Sequence, residues 1–204
     1  GQYNPMLEIS SLSYLATDWK ELKRVFSPGS FWYKTYEGAH AKVGVKLLGV
    51  YVDSFISLAT VKPLNDPLNP KANHKGKVRI PPSEIYKLTM DSLNYDTVSI
   101  NWSDLYTAMQ TGVCDGWIGG TAALNYFQFR DLIKHFMPIR AFVENVSYVY
   151  NAEKFAKLPA AYQKVIFEAC QKQAKKSIDD AQKNEALYQE KLNKEHKVAI
   201  MNVT

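Results

Sequence analysis

The sequence predicts an α/β fold arranged as two lobes, and three observations carry that expectation. Helical apolar spacing alternates with short apolar runs of strand character, and one stretch has the strand-helix-strand order of a parallel unit. Two long segments, one extended and one helical, read as connections between lobes. The 204 residues, 46% of them hydrophobic, suffice for one large domain or two small lobes. Charged residues at 22% and aromatics at 13% exclude a disordered chain.

Taken in order, Leu15 to Phe26 form a helix with a Thr17-Asp18 cap and Trp19, Leu22 and Phe26 on one face. Pro28 opens a second helical stretch carrying Phe31, Trp32, Tyr36 and Ala39, which stops near Gly44. Val45 to Val52 is almost continuously apolar and reads as a buried strand. Lys62 to Gly76, with Pro63, Pro67 and Pro70, is an extended loop. Val78 to Ile80 as strand, a helix started by Pro82-Ser83 with Ile85, Leu88 and Leu93 inside, and Thr97 to Ile100 as strand complete a βαβ unit. Asn101 or Ser103 caps a helix through Gln110 that Gly112 ends. Cys114 to Ile118 is a further strand, and Gly119-Gly120 turns the chain into a helix from Thr121 to Phe129.

Phe136 to Tyr150 has the look of a strand that crosses between lobes. Pro159 starts a helix with Leu158, Tyr162, Val165, Ile166, Ala169 and Cys170 at helical spacing, and the pattern continues through Ile178, Ala181 and Leu192 to His196. At 1.5 Å per residue that helix spans about 50 Å, the length of a connecting rod. Val198 to Val203 closes the chain as a strand.

Composition narrows the function classes. The net charge is +5, but the lysines are spread along the chain and gather mainly in the late helix, a solvated face rather than a nucleic-acid footprint. Cys114 and Cys170 lie far apart in different local patterns and indicate neither a metal cluster nor a disulfide framework. No apolar run approaches the ~20 residues of a membrane span, and Gly1-Gln2-Tyr3 lacks the basic-then-apolar layout of a signal peptide.

Catalytic constellations are sparse. Cys114, Asp115 and His135 supply a thiol, an acid and an imidazole, yet a buried cysteine accounts for the first as well. The four histidines (His40, His74, His135 and His196) show no metal-ligand spacing. Gly119-Gly120 after a strand is not followed by the Lys-Ser/Thr of a phosphate loop. No cofactor is required.

One combination is more specific. Lys75-Gly76-Lys77-Val78-Arg79-Ile80-Pro81-Pro82 is followed, one helix and one strand later, by Asn101-Trp102-Ser103-Asp104-Leu105-Tyr106-Thr107-Ala108-Met109-Gln110-Thr111-Gly112-Val113-Cys114-Asp115-Gly116. This resembles the solute-binding subunit of tripartite ATP-independent periplasmic (TRAP) transporters, in the dicarboxylate-binding branch. Members of that branch carry a Lys-Gly-x-Lys-x-Arg-x-Pro strand and a helix-turn ending in Gln-Thr-Gly-x-x-Asp-Gly. Asn151-Ala152-Glu153-Lys154-Phe155 with Leu158-Pro159, and Pro5 through Asp18, extend the likeness.

The resemblance implies a periplasmic-binding-protein-like fold whose two lobes close around a small carboxylate by hinge motion, in the periplasm, with the membrane subunits of a TRAP transporter as partners. It implies lobes of residues 1–54 plus 145–184 and 55–144 plus 185–204. Arg79 occupies the position of the family's carboxylate-pairing arginine, a role its planar fork of donors suits. Trp102 stands where a family aromatic packs against the solute, and Trp117 is a second candidate wall.

The sequence departs from the family in two places. A second family arginine is replaced by Phe55-Ile56, and an asparagine after the Asp-Gly turn gives way to Trp117-Ile118-Gly119-Gly120, with Gly119 kept as a candidate contact. Arg140, Glu144 and Asn145 on the crossing stretch are possible replacements. The reduced clamp suggests one carboxylate on an apolar or aromatic body. Family members also begin with a strand-helix-strand unit not matched here and end with additional helix, so the first lobe is expected to be incomplete and two copies could pair through exposed core. The competing reading is a structural or interaction fragment that binds no small molecule.

Overall fold

The computed structural model describes residues 4–67 and 69–201. Its chain divides into two compact units, one of residues 1–54 with 143–183 and the other of 55–142 with 184–204.

In the first unit, a 3-10 turn (Pro5–Ser11) leads to helices α1 (Trp19–Phe26) and α2 (Phe31–Ala41). Asp18 caps α1 by accepting from the Glu21 amide at 2.8 Å, so the helix starts at Trp19 rather than Leu15. Ser30, not Pro28, opens α2, its hydroxyl accepting from the Tyr33 amide at 3.0 Å. Pro28 lies in the turn between the helices, because a side-chain acceptor at the N-cap fixes the start more firmly than a preset φ does. Strand β1 (Val45–Thr60) begins here and strand β5 (His135–Asn151) ends here, followed by α6 (Ala152–Ala156) and the first part of α7 (Ala160–His196).

Helix α7 packs closely on β1. Gln171 Nε2 donates to the Leu48 carbonyl at 2.6 Å, Ser177 Oγ accepts from the Val52 amide at 3.0 Å, and a Cβ on Gly49 would lie 3.1 Å from the Cys170 carbonyl oxygen. The first turns of α7 do not bury the apolar face expected of them, since Tyr162 and Val165 are exposed. Helical spacing places residues on one face, but only a neighbouring element can cover it.

The second unit contains a six-stranded sheet in the order β3-β2-β4-β1-β5-β6. Its members are β2 (Lys77–Ile80), β3 (Asp96–Ser99), β4 (Gly116–Gly120), β6 (Ala199–Ile200) and the portions of β1 and β5 that fall in this unit. Strand β2 runs parallel to both β3 and β4, β4 is antiparallel to β1, and β5 is parallel to β6. The β2, α3 (Glu84–Ser92), β3 succession is the expected βαβ unit.

Two side-chain layers sandwich this sheet. Val78, Ile80, Leu58 and Ile118 point into a core shared with Met90 of α3, while Ala59 and Trp117 point into one shared with Leu105 and Met109 of α4 (Leu105–Gln110), Phe129 after α5 (Ala122–Gln128), and Leu192 of α7. Strand alternation therefore sends Arg79, between Val78 and Ile80, toward the aromatic-rich layer.

Several expectations need correction. The apolar run of β1 seemed to end at Val52, but the strand continues for eight residues because Ser57 to Thr60 pair with β4. Leu88 is exposed and Thr89 is buried, the inward face of α3 being turned by one residue. Neither the Asn101 nor the Ser103 side chain caps the next helix, which opens instead through a 3-10 turn at Trp102–Asp104. Cys114 is buried but lies before β4, and Gly119-Gly120 end that strand rather than forming a turn. Val198 to Val203 yields only the short β6, with residues 202 and 203 outside the described range, as Gly1-Gln2-Tyr3 are.

Candidate functional site

Arg79 lies at the carboxyl end of β2, level with Trp117 on the parallel neighbour β4 and with Val98 on β3. Ligands of open α/β sheets settle at such strand ends. The residue is 4% exposed, and its Nε donates to the Ile100 carbonyl at 2.8 Å. Among the described residues that is its one hydrogen bond, and no carboxylate pairs with it. The sealed polar side-chain atoms that lack a partner are Ser54 Oγ, Thr60 Oγ1, Thr97 Oγ1 and His135 Nδ1 among the described residues. Neither terminal nitrogen of Arg79 is one of these, so neither is fully sealed from solvent. Burial pushes the guanidinium below the ordinary arginine range, with Tyr86 and Cys114 offsetting part of that. A cation desolvated without a counter-charge is costly, and an arriving anion relieves the cost.

Gly119 borders the guanidinium. Ser57 opposes Gly120 and Leu58 opposes Ile118, so Gly119 is the extra residue of a β-bulge, with φ at +140°. A Cβ on it would lie 3.5 Å from Arg79 Nη1 and 3.3 Å from the Trp117 ring. At Gly120 the conflict is harder, since a Cβ would sit 2.3 Å from that ring. The glycine pair is therefore demanded by the indole lying across its backbone, which is why it serves the strand and not a turn.

The two tryptophans differ. Trp117 is 0% exposed and its Nε1 donates to Asn125 Oδ1 at 3.1 Å. Trp102 is 50% exposed, its ring centroid 5.6 Å from that of Trp117 and 5.7 Å from that of Phe129. One ring is thus core, and the other is presented to solvent on an aromatic backing. Arg79, Gly119, Trp102 and Trp117 come together in the second unit.

The remaining candidates have partners of their own. Arg140, also in this unit, has its Nη2 3.3 Å from Glu185 Oε2 and its guanidinium 4.9 Å from the centre of the Phe55 ring. Asn145, in the first unit, donates from Nδ2 to the carbonyls of Ser10 at 3.0 Å and Val143 at 2.9 Å. Glu144 beside it is half-buried, and burial with Asp53 nearby pushes its carboxyl up to about 7. The first unit also holds a cavity of about 780 Å³ that sequence reasoning missed. Of the three lysines that line it, Lys23, Lys172 and Lys175, the first is paired with Asp179 at 2.8 Å. The Ile100 carbonyl and the Asn125 amide were missed too, since a backbone acceptor carries no side-chain signal.

The thiol considered for catalysis is poorly placed for it. Burial raises the Cys114 pKa, which suppresses the thiolate, and Asp115 accepts from the Lys77 amide at 2.8 Å and binds Lys62 at 2.7 Å. Among the described residues no cluster of three His, Cys, Asp or Glu side chains could hold a metal ion, and no helix is long and apolar enough to cross a membrane.

Solved structures share this fold. A TRAP periplasmic solute binding protein from Pseudomonas aeruginosa with bound L-malate aligns at TM-score 0.85 and 16% identity, over 100% of this chain and 69% of that one. One from Shewanella oneidensis with bound succinate aligns at 0.83 and 20%, over 100% and 65%. One from Desulfovibrio salexigens with bound orotic acid aligns at 0.82 and 18%, over 100% and 64%. The chain thus spans about two thirds of the length of these proteins. No curated protein matches it. The family model of bacterial extracellular solute-binding proteins, family 7, matches residues 1–204, and the chain belongs to that family.

Proposed function

We propose that this chain captures a small organic acid in the periplasm by its carboxylate and delivers it to the membrane subunits of a TRAP-type transporter. The observation that carries the reading is Arg79, a buried guanidinium with one carbonyl acceptor, no acidic partner among the described residues, and terminal nitrogens that are not fully sealed from solvent. Two parallel charge-assisted bonds from such a fork would fix both the position and the plane of a carboxylate. Malate, succinate and orotic acid, bound by the three neighbours, are all carboxylic acids.

Arg79 is the anchor, Gly119 keeps its Nη1 uncovered, and Trp102 forms an apolar wall with Trp117 behind it. Arg140 and Asn145 hold the protein together rather than the solute. The two compact units are the lobes whose movement on binding the transporter reads. The chain binds and releases its solute without transforming it and uses no cofactor.

Thermal melting in the presence of candidate acids tests this, because a ligand that binds only the folded state must stabilise it. Stabilisation by at least one carboxylate, abolished in Arg79→Gln, is the expected result. If no acid shifts the melting temperature, the fragment reading gains, and a native mass spectrum would then show whether two copies pair.

A further inference from the structure

The charges and rings around Arg79 narrow the solute further. The anchor supplies one buried positive charge. The other arginine on a strand of this sheet, Arg140 on β5, is held by Glu185 at 3.3 Å. Lys62 and Lys87 are committed to Asp115 and Asp91 at 2.7 and 2.6 Å. None of these three cations is uncommitted toward a second carboxylate on the solute, and a charge left unmatched on leaving water is costly.

The apolar side of the site is correspondingly large. Trp102 follows two residues after the carbonyl that holds Arg79 Nε, half of its surface is exposed, and it leans on two buried rings, Trp117 and Phe129. Such a rigidly backed indole presents a flat face that a second flat group covers well. At the bulge, Gly119 puts no side chain between the guanidinium and that aromatic layer, so a carboxylate carried directly on a ring can reach Arg79.

Resting on the reading that Arg79 binds a carboxylate, we propose that the solute is a monocarboxylate with a flat aromatic or branched apolar body lying on Trp102, and that this site discriminates against dicarboxylates.

Isothermal titration of the chain with 4-hydroxybenzoate, phenylacetate, 4-methyl-2-oxopentanoate, orotate, succinate and L-malate tests the proposal, repeated on Arg79→Gln and Trp102→Ala. At least one monocarboxylate is expected to bind about tenfold or more tightly than succinate and malate. Trp102→Ala, which removes the exposed indole face, should lose that preference. Succinate or malate binding as tightly as every monocarboxylate, with all binding lost in Arg79→Gln, overturns the selectivity and leaves the carboxylate reading intact. Binding undiminished in Arg79→Gln, or absent for every acid, overturns both.

Discussion

Arg79 and Arg140 lie in the same compact unit and have opposite surroundings. Arg140 is about one third exposed and reaches Glu185, a buried carboxylate 45 positions away, while its flat face covers Phe55. Arg79 is more deeply buried and, among the described residues, has only the Ile100 carbonyl. The comparison teaches how a structural cation differs from one held ready. The first is neutralised by the fold and stabilises it; the second is kept open, and the fold bears the cost until an anion arrives.

The largest expected effect separates the two directly. Arg79→Gln should weaken carboxylate binding by about 100-fold or more, close to 3 kcal/mol, since a charge-assisted bidentate contact is removed. Its melting temperature without ligand should not fall, and a marked fall would show that Arg79 is structural after all. Arg140→Met should do the reverse, costing about 2 kcal/mol in urea unfolding because Glu185 loses a counter-charge, with affinity unchanged within twofold. A tenfold loss of affinity in that variant would place Arg140 in the site.

Gly119→Ala sharpens the comparison by crowding the Arg79 guanidinium alone. Its strained φ and the Trp117 ring predict a stability loss of about 1 kcal/mol and weaker binding. Titration and melting should move together, and an unaffected affinity would remove Gly119 from the site.

The remaining effect is read against pH and concerns a carboxyl that, among the described residues, has no ion-pair partner of the kind Glu185 has. Glu144 is raised from its ordinary 4.5 to about 7 by burial, with Asp53 adding to the shift. Between those values the folded chain binds more protons than the unfolded one, so stability is highest below about 4.5 and falls as pH rises toward about 7. Glu144→Gln should flatten that slope, which cannot exceed about 1.4 kcal/mol per pH unit for one group. An unchanged slope of unfolding free energy against pH would assign it to another residue.

Regions of strong period were legible from sequence. The βαβ unit from Lys77 to Ser99 and the helix reaching His196 followed from apolar spacing alone, and the Arg79 position followed from the motif around it. The end of β1 was not legible, since Asp53 and Ser54 interrupt the apolar run that pairing with β4 then extends. Nor could sequence tell Trp117 from Trp102, because burial depends on what covers a ring and not on its neighbours in the chain.

By itself the sequence determined the alternation of helix and strand and that Arg79 faces away from Val78 and Ile80, as both are short-range consequences of backbone period. Only the tertiary structure decided that Gly119 is a bulge, that Glu185 claims Arg140, and that Asn145 is tied to Ser10 across 135 positions. Those outcomes depend on strand register and on contacts between distant segments, and neither is written in any local spacing.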